Sequence, residues 1–195
     1  LKSPFSLLNE ESGLPGTGYA AVMQNNRLFL GTNNGVYVSE AEYLGQIEGS
    51  EGQVYNLQLI NNEILMSQHN GAFTISKNKT SQLSSGGTWM FLEVGNYLLK
   101  GGYLGIDILN KEDYTPIGTI EDLNESSRII VKENDSTIWM AHGYKGLYRI
   151  IYNPTNINKA RVEFYNEENG LPSNLFNAVH IIEGELKIST ERGIY

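Results

Sequence analysis

The sequence predicts an all-β fold, a β-propeller fragment of four-stranded antiparallel blades with about four full blades plus an incomplete one. Three observations carry this. The phrase Glu11-Ser12-Gly13-Leu14-Pro15 returns as Glu168-Asn169-Gly170-Leu171-Pro172. Each copy is followed by Thr-x-x-Gly-aliphatic-Tyr, at Thr32 to Tyr37 and at Thr190 to Tyr195. Between them a strand-like segment, a small residue and a closing glycine recur at a period of roughly forty residues, the spacing of a propeller blade.

The second strands define the unit. They are Leu28-Phe29-Leu30-Gly31, Ile64-Leu65-Met66-Ser67, Leu98-Leu99-Lys100-Gly101, Ile138-Trp139-Met140-Ala141 and Leu186-Lys187-Ile188-Ser189. Their last column is always small, which predicts crowding by a neighbouring backbone. Closing glycines follow at Gly35, Gly71, Gly105, Gly146 and Gly193. Each ends a short turn, so a positive φ is expected there, where a residue without Cβ enters freely.

First strands precede these segments, at Tyr19 to Met23, Val54 to Ile60, Trp89 to Leu92, Arg128 to Val131 and Ala178 to Ile182. The intervening pairs are Asn25-Asn26, Asn61-Asn62, Gly95-Asn96, Asn134-Asp135 and Glu183-Gly184. Such residues suit two-residue hairpins. Third strands follow the closing glycines, as in Val36-Tyr37-Val38 and Leu147 to Ile151. Weaker fourth strands run through Tyr43 to Ile47, Ile117 to Ile120 and Val162 to Tyr165. No stretch of helical period competes. The repeat units fall at about residues 10–48, 49–84, 85–121, 122–166 and 167–195, and Pro4-Phe5-Ser6-Leu7-Leu8 reads as an outer strand of a preceding blade.

From Asn169 to Tyr195 the pattern Asn-Gly-Leu-Pro-Ser-Asn, an apolar run, a hairpin turn, Leu-x-Ile-x-Thr and x-x-Gly-Ile-Tyr resembles the two-component regulator propeller repeat. That repeat builds sensor regions of bacterial hybrid histidine kinases and of transcriptional regulators with a triple-tyrosine domain. The first unit matches less fully, with Ser12 in place of Asn. The fourth keeps Gly146-Leu147-Tyr148 but has His142 where the pattern has threonine, and one extra residue before its glycine. The second and third units, with Gln68 and Gly102 at that position, match thinly. The resemblance implies a seven-bladed ring of about 300 residues. The 195-residue chain therefore reads as an excerpt of a larger protein.

Composition narrows the function classes. Net charge is −8 with 40% hydrophobic residues, so no nucleic-acid contact is expected of this segment. No apolar run approaches the ~18 residues that cross a bilayer, so no membrane contact by this segment is expected either. Cysteine is absent, which removes disulfides and thiolate metal sites. No nucleotide-binding, serine-hydrolase, zinc-protease or calcium-loop motif occurs. No catalytic residue, metal or cofactor is expected.

Three histidines and one carboxylate merit separate readings. His180, in an apolar first strand, reads as structural. His69 and His142 belong to units two and four, too far apart in the repeat to share a metal. Asp107 stands where other units have Tyr or Phe and reads as a solvent-facing substitution. Glu133 to Trp139 faintly resembles the aspartate box of sialidase propellers without its leading serine and glycine, and reads as a hairpin turn.

Topology locates a ligand surface. If first strands are innermost, the second turns and the inter-blade connections share one rim. The variable residues there are Asn33, Asn34, His69, Asn70, Tyr103, His142, Tyr144, Lys145, Glu191 and Arg192. They mix aromatic and hydrogen-bonding groups, which suits an oligosaccharide or another polar small ligand, although each is also an ordinary turn residue. Loops on a rigid scaffold are where binding residues concentrate.

The resemblance implies a non-catalytic sensing and interaction propeller in the periplasmic, extracytoplasmic part of an inner-membrane signalling protein, with polysaccharide-derived ligands. A cytoplasmic location is the alternative. A carbohydrate-active lyase or glycosidase propeller is the rival function. It would show two rim carboxylates, or a carboxylate with Tyr and His, within hydrogen-bonding reach. Apolar side chains from Phe5 to Leu8 and from Val179, Ile181, Leu186 and Ile188 are expected on uncovered faces of the end blades, which predicts self-association.

Overall fold

The computed structural model describes residues 7–40 and 43–195. These form nineteen strands in five antiparallel sheets, with two short 3-10 turns among the described residues. The first blade holds β1 (Gly18–Gln24), β2 (Arg27–Thr32), β3 (Gly35–Glu40) and β4 (Tyr43–Gln46). The second holds β5 (Val54–Ile60), β6 (Glu63–Gln68), β7 (Gly71–Ser76) and β8 (Lys79–Ser85). The third holds β9 (Thr88–Val94), β10 (Tyr97–Gly102), β11 (Gly105–Asn110) and β12 (Pro116–Thr119). The fourth holds β13 (Ile129–Asn134), β14 (Thr137–His142), β15 (Gly146–Asn153) and β16 (Asn156–Tyr165). The fifth has three strands, β17 (Ala178–Ile182), β18 (Glu185–Thr190) and β19 (Gly193–Ile194). These are propeller blades, the fold class the repeat predicts. Of the lead-in, Pro4, Phe5 and Ser6 lie outside the described residues. Leu7 and Leu8 are exposed and form no strand.

The second strands agree in register. Leu28, Ile64, Leu98, Ile138 and Leu186 each occupy the second position of a six-residue strand. Asn25-Asn26 and Asn61-Asn62 take φ between 49° and 61°, and Glu183-Gly184 take 53° and 80°, the left-handed pairs a tight hairpin needs. Asn134-Asp135 departs from the expectation. The turn lies at Asp135-Ser136, β13 carries an irregularity before Asn134, and Asn134 Oδ1 accepts the Ser136 N–H at 3.0 Å. A side-chain-to-backbone bond here replaces positive φ.

All five closing glycines have positive φ, from 92° at Gly105 to 154° at Gly71. In four of them the neighbouring chain supplies a second reason. A Cβ at Gly71, Gly105 or Gly146 would overlap a backbone carbonyl oxygen of Ser84, Leu123 or Tyr165, and one at Gly35 would sit 3.0 Å from Ser50 O. Gly193 has open space around it.

The chain divides into two compact units, Leu1–Thr88 and Trp89–Tyr195. In the first, Phe29, Val36, Val38 and Ile47 pack with Val54, Leu57, Ile64, Met66 and Ile75. Gly31 is small because a Cβ there would lie 2.7 Å from Val54 Cγ1 of the next blade. In the second unit, Leu99, Ile106, Ile108 and Ile120 of the third blade pack with Ile130, Ile138, Met140, Ile150 and Ile157 of the fourth. Each such side chain contributes roughly 1.5–3 kcal/mol of burial, which makes these clusters the source of blade cohesion.

Two expectations are corrected in this unit. Val179 is buried, and Leu186 and Ile188 are partly buried, against Ala141 and Leu147 of the fourth blade. They therefore cover the neighbouring blade instead of forming an uncovered face, because β17 and β18 turn their shared apolar face inward. Ile181 stays 39% exposed. Asp107 is no mere surface substitution: it pairs across β10 and β11 with buried Lys100, at 2.6 Å. The carboxylate places a negative charge beside a buried ammonium.

The repeated Gly-Leu-Pro phrases close two matching 3-10 turns, Glu10–Ser12 and Glu167–Asn169. Asn9 and Asn166 cap them, and the cap is returned by the third residue. Ser12 Oγ accepts the Asn9 N–H at 2.7 Å, and Asn169 Oδ1 accepts that of Asn166 at 3.1 Å. Serine and asparagine are interchangeable here because each offers one acceptor at the same place.

Candidate functional site

The second turns of the first, fourth and fifth blades share one design. In the first blade Thr32 Oγ1 accepts the Asn34 N–H at 3.0 Å and donates to Gly35 O at 3.1 Å. In the fifth, Thr190 Oγ1 accepts the Arg192 N–H at 3.1 Å and donates to Gly193 O at 3.2 Å. The fourth blade puts His142 in the threonine position, and its Nδ1 accepts the Tyr144 N–H at 3.1 Å. The imidazole thus does the threonine's accepting task, with the extra residue lengthening the turn to Gly143-Tyr144-Lys145.

With Nδ1 accepting, neutral His142 carries its proton on Nε2, which lies 3.6 Å from Glu125 Oε2. Burial pushes its pKa below the ordinary value, against the pull of Glu125. Lys145 Nζ holds both Glu125 oxygens, at 2.9 and 2.8 Å. Tyr144, 67% exposed, stands edge-on to His142 with ring centres 5.9 Å apart.

Beside this group lies an aromatic pair. Trp89 and Tyr103 approach to 5.0 Å between ring centres, and the Arg128 guanidinium sits over Trp89 at 5.4 Å. Trp89 Nε1 donates to Ser126 Oγ at 2.9 Å. The connection carrying Glu125, Ser126 and Arg128 binds the two groups together. Gly105 donates to Glu125 O, and Ser127 donates to Gly102 O, each at 2.9 Å. These bonds tie the connection to the third blade's turn, while Glu125 reaches the fourth blade's.

Of the sequence-predicted residues, Tyr103, His142, Tyr144 and Lys145 are thereby gathered in the second unit. Glu191 and Arg192 are exposed, with their charged groups 4.0 Å apart. In the first unit, Asn33 Oδ1 accepts the Thr17 N–H at 2.7 Å, and Asn34 O accepts from Gln46 Nε2 at 3.1 Å. The Asn33 side chain thus holds the turn, whereas Asn34 contributes its main-chain carbonyl. His69 and Asn70 are exposed, with His69 Nδ1 3.5 Å from Tyr55 OH.

No known protein-family model matches the chain, and no curated protein sequence matches it. Solved structures do. The chain is similar to the extracellular domain of a B. thetaiotaomicron protein described as the hybrid two-component system BT3049, with TM-score 0.78 and 15% identity. That likeness covers 97% of this chain and 30% of the other. A second such domain, from BT4673 of the same organism, gives TM-score 0.75 and 15% identity over 94% of this chain and 27% of the other. The WD40 β-propeller domain of Doa1 follows at TM-score 0.54 and 12% identity, covering 89% and 64%. The fold is a β-propeller. The likeness is to propellers of extracellular domains of two-component systems, and this chain spans less than a third of the length of those chains.

Sequence reasoning missed Trp89, Glu125, Ser126 and Arg128. A signal was present, because the connections between blades were expected at the same end as the second turns. The remaining histidine, His180, is exposed and pairs with Ser189 Oγ at 3.0 Å. Among the described residues no three His, Asp or Glu side chains are grouped to hold a metal ion.

Proposed function

We propose that the chain is a sensing propeller of an extracytoplasmic signalling protein, and that the second unit's turn surface binds a polar, ring-shaped ligand, an oligosaccharide fragment by preference. One observation carries the reading: an aromatic pair, Trp89 and Tyr103, adjoins Arg128 and the Glu125–Lys145 ion pair on one scaffold of turns. Aromatic faces take the C–H faces of sugar rings, and the charged groups take hydroxyls. The likeness to extracellular domains of two-component systems supports the setting.

The rival, a lyase or glycosidase, draws on Glu125, His142 and a nearby tyrosine. Catalysis by proton abstraction needs a free base with a pKa near the working pH. The His142 Nδ1 lone pair is already engaged by Tyr144 N–H, and both Glu125 oxygens are engaged by Lys145. Tyr148, buried and near Glu125, is pushed up to about 12. These engagements favour a shape-holding role for the group over a catalytic one.

A panel of soluble neutral and acidic oligosaccharides, titrated calorimetrically with parallel product analysis, tests this. Saturable binding without new reducing ends is expected. Turnover that disappears in Glu125→Gln would replace sensing by catalysis.

A further inference from the structure

At the opposite strand ends of the second unit, the first hairpin of the third blade and two hairpins of the fourth enclose a cleft of about 380 Å³. Val94, Tyr97, Tyr152 and Pro154 line it together with the polar Asn96, Lys132 and Asp135. Tyr152 is 4% exposed, and its hydroxyl is buried without any hydrogen-bond partner. A buried phenol left unsatisfied costs about 1–3 kcal/mol. Its ring packs in the blade core and its backbone N–H is fixed to Ser136 O at 2.9 Å, so the side chain is not free to leave.

Beside it Lys132 Nζ donates to Asp135 Oδ1 at 2.6 Å. The Asp135 side chain is 95% exposed, and ion pairs of that kind contribute about 0–1 kcal/mol. The ammonium can therefore exchange this partner for a better desolvated one. A cation on the wall and an orphaned O–H donor buried beside it, in a recess of mixed polar and apolar lining, call for an acceptor with negative charge and two oxygens.

We propose that this cleft binds a small organic carboxylate, with Lys132 Nζ and the Tyr152 hydroxyl donating to the carboxylate and Tyr97 and Pro154 carrying its body. Asp135 is the internal competitor that the ligand displaces. The site is separate from the turn surface above and stands or falls independently of it.

The test is an NMR titration of the 195-residue chain with two matched pairs: glucuronate against glucose, and benzoate against benzyl alcohol. The pairs separate a sugar acid from an aromatic acid while holding the carboxylate in common. At least one acid is expected to bind, with its neutral twin about tenfold weaker or more. Tyr152→Phe and Lys132→Met should each weaken the acid by about tenfold, the value of a hydrogen bond to a charged group. Asp135→Asn should tighten it several-fold. Tyr152→Phe removes an unpartnered hydroxyl, so its melting temperature should not fall, which separates loss of binding from loss of fold. Equal binding of acid and neutral twin, no binding of any probe up to its solubility, or undiminished affinity in Tyr152→Phe would overturn the proposal.

Discussion

The closing glycines of the fourth and fifth blades have similar φ and very different surroundings. Gly146 has φ 123° and Gly193 has φ 136°. A Cβ at Gly146 would overlap Tyr165 O on β16, the outermost strand of its blade, whereas Gly193 meets nothing within 4 Å. The positive φ belongs to the turn and is local. At Gly146 the crowding comes from the outer strand β16. Within residues 1–195 Gly146 is held by its turn and by its neighbour, and Gly193 by its turn.

The largest expected effect breaks that pairing directly. Gly193→Ala should cost about 1–2 kcal/mol, the strain of a side chain at positive φ. Gly146→Ala should cost at least about 2 kcal/mol more, because overlap with fixed backbone adds to the strain. Urea denaturation of the two variants measures the difference, and equal losses would show that the outer strand exerts no pressure on the turn.

A smaller effect sharpens the comparison at the residue that opens each turn. His142→Ala should cost about 1 kcal/mol through the lost Tyr144 N–H bond, and His142→Thr should restore most of it. The histidine also makes this turn sensitive to acid. Its folded pKa lies below the ordinary value of about 6.5, so the unfolded chain takes up the proton first as pH falls. Its contribution is therefore full above about pH 6.5 and lost as pH drops below it. Thermal melts between pH 7.5 and 5, each run at about the same ionic strength, should lose less in His142→Thr than in the parent. An unchanged pH slope would contradict the assigned role.

The smallest effect concerns the two matching caps. Ser12→Asn copies the later turn into the earlier one and should change stability by no more than about 0.5 kcal/mol, while Ser12→Ala should cost about 1 kcal/mol. A large penalty for the asparagine would show that the turns are not equivalent.

Strand starts and closing glycines were legible because they are set by local rules: period, turn chemistry and the absence of a Cβ. The outer strand β8 was not, because Lys-Thr-Ser-Gln-Leu-Ser-Ser has a largely solvated face and shows little apolar alternation. The pairing of Lys100 with Asp107 was hidden in the cross-strand register, which single residues do not reveal. At the candidate site the turns named Tyr103, His142, Tyr144 and Lys145. Trp89 looked like one more apolar residue of a first strand, and Glu125, Ser126 and Arg128 looked like linker. Their meeting depends on how the connection between blades is laid against two turns. The structural part played by His142 was half legible, since it stands where threonine recurs.

Trp89 can report on its own surroundings, since the only other tryptophan in the chain is Trp139. In a Trp139→Phe background, emission from Trp89 should shift and saturate on addition of the oligosaccharide that binds in calorimetry, with the same dissociation constant. Arg128→Ala should weaken that constant by about tenfold while leaving the melting temperature nearly unchanged. A calorimetrically bound sugar that leaves Trp89 emission untouched would place the ligand elsewhere and contradict the account.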